Sequence, residues 1–289
     1  MQNSLSNVAR ENRLFREIHS PHNKTIMVIG RSDTGKTSFI ERLADHCSQK
    51  TEVAIVDLDM GQSHIGPPAT IAWGKVKGGF KSWQDIKMKD FYFTGALSPV
   101  GSLLPAVTGA RLETEKALDV CDKVIIDTTG LITEPEGRVL KQFKIDLLKP
   151  DIIIALERSD ELEHILRSFA FQKMPKILRL PVLKKTGTKS TAIRSEYRTD
   201  QFRAYFKNAK DMTVSLENIG IRFTRESIRL NNIELKNRII SFRDKKNMDM
   251  ALGIVTEAHA RKRIIKVRTP LKRNRKIASI VIGTVQVDL

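Results

Sequence analysis

The segment Gly30-Arg31-Ser32-Asp33-Thr34-Gly35-Lys36-Thr37 constrains this chain more than any other stretch. It matches G-x-x-x-x-G-K-[ST] at every fixed position. The apolar run at 26–29 precedes it, and residues 36–48 follow with Phe39, Ile40, Leu43 and Ala44 on one helical face. Gly30 and Gly35 let the backbone curl so that successive N–H groups face an anion, and the helix adds its positive N-terminal end. Lys36 supplies a point charge for β- and γ-phosphates, and the Thr37 hydroxyl is suited to Mg²⁺. Residues Gly30, Arg31, Ser32, Asp33, Thr34, Gly35, Lys36, Thr37 and Ser38 therefore read as a site for a nucleoside triphosphate. The loop does not say which reaction is run there.

The rest of the chain fits around that unit. Short apolar runs at 53–56, 91–93, 124–126 and 152–156 read as strands, and helical spacing covers 103–120, 137–148 and 161–171. Short strands alternating with helices predict an α/β fold, a P-loop NTPase with a largely parallel sheet flanked by helices. Residues 1–23 read as a polar N-terminal arm with a helix around 8–18. Beyond residue 180, Lys184, Lys185, Gly187, Lys189, Arg194 and Arg198 mark a basic loop leading into a helix at 196–208. Strand-like runs then recur at 239–242, 264–267 and 280–287, punctuated by Gly253 and Gly283. They predict a small antiparallel β domain over 211–289, after a P-loop domain over 24–210.

Charge divides the same way. The formal balance is +17, but residues 1–170 hold 22 Lys and Arg against 23 Asp and Glu, whereas 171–289 hold 28 against 10. An excess confined to one part points to a polyanion-binding surface. Nine of the sixteen residues at 261–276 are basic, and Lys266 and Arg268 alternate with Ile265 and Val267, as in a strand with one basic face. The two cysteines, Cys47 and Cys121, are in no C-x-x-C, which argues against a disulfide framework or thiolate zinc site. His19, His22, His46, His164 and His259 show no metal-ligand spacing. The longest apolar runs are too short to span a bilayer and no secretory signal is present, so a cytoplasmic protein without a membrane partner is expected.

A second acidic element stands after the second strand. Val56-Asp57-Leu58-Asp59-Met60-Gly61-Gln62 places an aspartate at the strand end beside the P-loop, the usual position of a Mg²⁺ partner. Asp57 and Asp59 point the same way if the strand continues through both. Gly61 would open the chain away from the sheet, and Gln62 would offer an amide near the phosphates. His64 reads as a loop histidine.

With these motifs the chain resembles the polynucleotide 5′-hydroxyl kinases, relatives of the pre-mRNA cleavage-factor RNA kinase and the nucleolar rRNA-processing kinase. The resemblance is carried by the P-loop, by Asp57-Leu-Asp-Met-Gly-Gln62, by Gly66-Pro67-Pro68-Ala69-Thr70-Ile71 and by Phe93-Thr94-Gly95-Ala96-Leu97-Ser98-Pro99. Asp127-Thr128-Thr129-Gly130 and Arg194-Ser195-Glu196-Tyr197-Arg198, leading to Tyr205-Phe206, complete it. It implies a kinase that uses ATP or GTP with Mg²⁺ to phosphorylate the 5′-OH of a nucleic acid, RNA before DNA, in RNA processing or repair.

Position by position, the resemblance makes Lys36, Asp59, Arg194 and Arg198 catalytic. Asp59 falls at the family's general base, and the arginines fall on a lid at about 184–203. Thr37, Asp57 and Asp59 face the metal, and the residues leave open which aspartate serves it and which is the base. Gly95, Ser98, Pro99, Thr129 and Gly130 contact the substrate. Where several members have a Trp after the T-x-G segment, this chain has Leu131. Grip on a terminal base then either falls to another ring, Trp73 or Trp83, or is weaker. No motif specifies a protein partner.

Two other readings compete. An RNA-bound P-loop NTPase could act as a nucleotide switch without transferring phosphate to an acceptor. A small-molecule kinase is disfavoured by the basic C-terminal part, since a small acceptor needs no extended basic surface.

Overall fold

Runs at 26–29, 53–56, 124–126 and 152–156 contain no polar side chain, and each becomes a strand buried on both faces, as the interior of a parallel sheet requires. The computed structural model describes residues 14–15, 17–182, 190–225, 228–272 and 276–289. Most of the expected arm, Lys184, Lys185, Gly187 and Lys189 of the lid, and Arg273 and Arg275 lie outside the described residues.

The elements are β1 (Thr25–Gly30), α1 (Lys36–Ser48), β2 (Val53–Asp57), β3 (Thr70–Val76), β4 (Met88–Phe93), α2 (Leu103–Leu118), β5 (Lys123–Asp127), α3 (Glu136–Leu148), β6 (Ile152–Glu157), α4 (Glu163–Leu166) and β7 (Lys176–Pro181). There follow α5 (Thr191–Phe206), β8 (Lys210–Ser215), β9 (Gly220–Phe223), α6 (Asn232–Leu235), β10 (Arg238–Arg243), β11 (Asp249–His259), β12 (Ile264–Thr269) and β13 (Ser279–Gln286). The first sheet runs β4-β3-β2-β5-β1-β6-β7. From β2 to β7 its neighbours are parallel, and β3 is antiparallel to β2. This is the expected largely parallel α/β sheet.

The chain folds as two compact units, neither continuous in sequence. The first is Met1–Asp59, Ala72–Lys89 and Ala110–Thr188; the second is Met60–Ile71, Asp90–Gly109 and Lys189–Leu289. In the first unit a helical segment of the arm packs through buried Leu14 and Ile18. It also brings His19 to His46, with the two Nε2 atoms 2.7 Å apart. Cys47 and Cys121 are free and buried. Burial pushes the Cys47 thiol up to about 11, which keeps it an inert packing residue.

The second unit holds the sheet β8-β12-β11-β10-β13-β9. Its ladders are antiparallel as expected, except that β9 joins β13 in parallel. Leu235, Ile240, Phe242, Val255, Val267 and Ile280 centre its core.

Several expectations are corrected. The helix expected over 161–171 is the short α4 followed by a 3₁₀ turn at Arg167–Phe169. Gly253 and Gly283 do not separate strands. They lie inside β11 and β13, Gly253 beneath the Phe242 ring and Gly283 against Gly95. Strands β7, β8 and β9 were not legible because they are sheet edges. Charged residues there break the apolar pattern that marks interior strands. Among the described residues, no helix is long and apolar enough to cross a membrane.

One buried ion pair ties the second unit together. The Arg243 guanidinium donates to both Asp249 carboxylate oxygens, at 2.9 and 3.0 Å, and both side chains are 2% exposed. Asp249 also accepts from the Ser241 hydroxyl at 2.6 Å and from the Phe93 amide at 3.0 Å, and Arg243 lies 5.1 Å from the Tyr92 ring centroid. A carboxylate with four donors fixes the end of β4 to the hairpin of β10 and β11. Asp249→Ala leaves a buried guanidinium unpaired and should cost about 3–5 kcal/mol, read as a lower urea midpoint.

Candidate functional site

In the first unit the P-loop braces itself before any ligand is considered. Thr34 Oγ1 donates to the Arg31 carbonyl at 2.8 Å, and Arg158 donates to the Asp33 carbonyl at 2.8 Å. Gly35 has φ +81°, the left-handed turn that starts α1, and no side chain caps the helix. The first amides of α1 are thus left for an anion. The Lys36 ammonium lies along the loop and donates to the carbonyls of Gly30, at 3.0 Å, and Arg31, at 2.8 Å. Thr37 is partly exposed, and Arg31 and Ser38 are exposed.

The parallel register brings the carboxylates of two strands to the same edge. Asp57 and Asp127 are Cα partners at the ends of β2 and β5, 0% and 4% exposed. The strand does not continue through Asp59, contrary to the condition set from sequence. β2 stops at Asp57, whose Oδ1 accepts from the Asp59 amide at 2.9 Å and turns the chain. Burial, reinforced by Asp57, raises the Asp127 carboxyl, and its Oδ1 is buried without a hydrogen-bond partner. Asp127 is a functional candidate that sequence reasoning missed. Its signal was available, since it ends an apolar strand just as Asp57 does.

Two lysines were missed as well. Lys141 and Lys144 sit on the buried face of α3 and are both 0% exposed. Lys141 donates to the Thr129 carbonyl at 2.6 Å. Burial, then Lys144 and Lys36, hold its ammonium well below the usual lysine range. Burial lowers Lys144 to about 8, against the opposing pull of Asp59, Asp57 and Asp127. The 3/4 spacing of Gly137, Leu140, Lys141, Lys144, Ile145 and Leu148 puts both lysines on the apolar face, where a structural rather than solvated role follows.

Thr129 and Gly130 close on the P-loop. A Cβ at Gly130 would stand 2.5 Å from the Ser32 amide nitrogen and 2.7 Å from its Cα. Only glycine permits that approach. Lys36, Asp57, Asp59, Asp127, Lys141 and Lys144 thus form one cluster of three amino and three carboxyl groups. Among the described residues no group of three or more His, Cys, Asp or Glu could hold a metal by itself.

The remaining expected residues belong to the second unit. Gly95, with φ +73°, meets Gly283 Cα, and its carbonyl accepts from the Thr284 amide at 2.7 Å and the Thr284 hydroxyl at 2.9 Å. Ser98 is exposed and its hydroxyl accepts from the Val100 amide, while Pro99 is buried. Arg194 and Arg198 lie one turn apart on α5, both partly buried. The Gln62 amide donates to the Arg194 carbonyl at 3.1 Å, so it holds the helix that carries the arginines. The His64 ring is tilted against the Tyr197 ring, with centroids 5.9 Å apart.

The basic strand face is realised but moderated. Lys266 and Arg268 are exposed between buried Ile265 and Val267, yet Lys266 pairs with Glu257 and Arg268 with Asp211. Arg261, Lys262 and Arg263 in the preceding turn are all exposed.

In the first unit Trp73 is 6% exposed inside β3 and offers no free face to a base, whereas Trp83 is partly buried, donates to Glu41 at 2.7 Å and meets the Phe80 ring at 76°.

Comparison with known proteins places these features in a family context. The family model described as mRNA cleavage and polyadenylation factor CLP1 P-loop matches residues 30–208. A polyribonucleotide 5′-hydroxyl-kinase of Pyrococcus furiosus is 39% identical over 200 residues, covering 69% of this chain and 55% of the relative. One of Methanocaldococcus jannaschii is 37% identical over 201 residues, with the same 69% and 55% covered. The chain therefore spans about half the length of these relatives. The solved structure of the wild-type Clp1p–Pcf11p complex matches with a TM-score of 0.76 at 15% identity, over 98% of this chain and 79% of the other. That likeness is one of fold.

The contact of Gly130 with Ser32 yields a test. Gly130→Ala should displace the P-loop and weaken nucleotide binding by about tenfold or more in calorimetric titration, since a forced backbone shift costs about 1–3 kcal/mol. Wild-type affinity would show that the two loops are not interlocked.

Proposed function

The chain belongs to the CLP1 P-loop family, and on that footing we propose that it is a polynucleotide 5′-hydroxyl kinase. It would transfer the γ-phosphate of ATP or GTP to the 5′-OH of RNA, and secondarily of DNA, in RNA processing or repair. The observation that carries the reading is the pairing of a complete P-loop with the strand-end carboxylates Asp57 and Asp127 and with Asp59 in the turn after β2. It is supported by the activity in the names of the archaeal relatives.

In this reading the chemistry is in-line displacement. The 5′-oxygen bonds to the γ-phosphorus as the bond to the β–γ bridging oxygen breaks, and the 5′-OH proton passes to Asp59. Lys36 leaves the carbonyls of Gly30 and Arg31 to meet the β- and γ-phosphates. Arg194 and Arg198 supply positive charge to the phosphoryl group in transfer. With Asp59 as the base, Thr37 and Asp57 would hold Mg²⁺, which would supply neutralisation of phosphate charge when bound. Asp127 and Lys144 set the field around those carboxylates. Gly95, Ser98 and Pro99 are the proposed substrate clasp, and Thr129 and Gly130 contribute through the loop that backs Ser32. Arg261, Lys262 and Arg263 hold the polymer backbone.

The reading is tested with γ-labelled ATP or GTP and 5′-OH RNA, 5′-OH DNA or no acceptor. Label should appear on the oligonucleotide. Lys36→Ala and Asp59→Asn should abolish it, and Arg198→Ala should reduce it by about 10³-fold or more. Free phosphate alone, with no labelled oligonucleotide, would instead support the nucleotide switch. The basic turn is tested separately. Arg261→Glu with Lys262→Glu should weaken oligonucleotide binding and lower its salt slope by about 1–2. Unchanged affinity would make that turn a solvated surface.

A further inference from the structure

The lid helix α5 has two unlike halves. Phe202 and Phe206 in its C-terminal half are buried, and the Tyr205 hydroxyl accepts from the Leu252 amide of β11 at 2.9 Å. That end is built into the sheet of the second unit. In the N-terminal half Thr191, Ala192, Ile193, Ser195 and Glu196 are exposed, and Ser190 caps the helix by accepting from the Ile193 amide. Partly buried Tyr197 stands between the two arginines and donates its hydroxyl to the Ser63 carbonyl at 3.0 Å. Its ring packs on His64, and one turn earlier Gln62 donates to the Arg194 carbonyl. Three consecutive residues, Gln62, Ser63 and His64, therefore receive the arginine-bearing turn.

We propose that Tyr197 is a positioning residue: its bond to the Ser63 carbonyl latches the N-terminal half of α5 and sets where Arg194 and Arg198 are carried. The proposal rests on the reading of those two arginines as lid residues. Its mechanism is a bias between two states of one helical segment. A neutral hydrogen bond shifts such an equilibrium by about two- to twelvefold, enough to favour the latched turn and weak enough to break during turnover. The latch grips the same chain segment that carries Asp59 four residues before Ser63.

Tyr197→Phe removes the hydroxyl and keeps the ring on His64. In the full-length chain, amide hydrogen exchange over 191–198 should quicken by about two- to tenfold, with exchange over 202–206 unchanged. Phosphoryl transfer to a saturating 5′-OH oligonucleotide should lose kcat by a similar factor, with the KM for nucleotide unaltered. Exchange at the wild-type rate overturns the latch. Faster exchange along the whole helix, or a kcat equal to wild type, overturns the positioning role. Arg198→Ala run in parallel separates the two readings: full transfer by that variant defeats the lid assignment, while the exchange rates still decide whether Tyr197 holds the helix.

Discussion

The hydrogen bond from the Lys141 ammonium to the Thr129 carbonyl, made out of reach of solvent, sets the geometry of the nucleotide end of the first unit. It ties the loop at 128–130 to the middle of α3, and Gly130 sits against Ser32, so the P-loop is backed by a second loop rather than by solvent. Burying an ammonium is costly unless opposite charge accompanies it. Here Lys36, Lys141 and Lys144 are set among Asp57, Asp59 and Asp127, and the cluster is formally neutral. Breaking any one partner would leave the others unbalanced in a low-dielectric setting, where charges act strongly on one another.

How much of this could be read from sequence depends on which physical rule governed each residue. The P-loop was legible because its glycines, lysine and threonine sit at fixed spacing between an apolar strand and an amphipathic helix. The interior strands β1, β2, β5 and β6 were legible because burial on both faces excludes polar residues. Edge strands obey no such exclusion, and β7 carries Lys176 and Arg179 within six residues. Lys141 and Lys144 were hidden by the opposite error, since lysine on a helix ordinarily marks the solvated face. Their 3/4 spacing with Leu140, Ile145 and Leu148 carried the signal, but only the fold supplies the carboxylates that make their burial tolerable. The hydrogen bond of Tyr197 to Ser63 joins residues 134 apart, and no local pattern announces it.

The charge of the C-terminal part shows how a sum conceals an arrangement. The excess over 171–289 suggested a uniformly basic surface, and the alternation at 264–269 suggested a basic strand face. Glu257 and Asp211, on neighbouring strands, answer Lys266 and Arg268 one for one. Exposed pairs of this kind contribute little to stability, but they remove much of the field that a polyanion would feel. The concentration of exposed positive charge moves to the turn at 261–263. A turn presents its side chains over a wider solid angle than a flat strand and follows a curved backbone more readily.

The anchoring of Gly95 has a consequence for the order in which the molecule is made. Its carbonyl is held by Thr284, 189 residues further along the chain. At about 5–20 residues per second, a ribosome delivers Thr284 about 10–40 s after Gly95. Through that interval the Gly95 carbonyl lacks the two donors that hold it in the finished fold. The turn at Gly95 therefore takes its final anchorage only when β13 is in place.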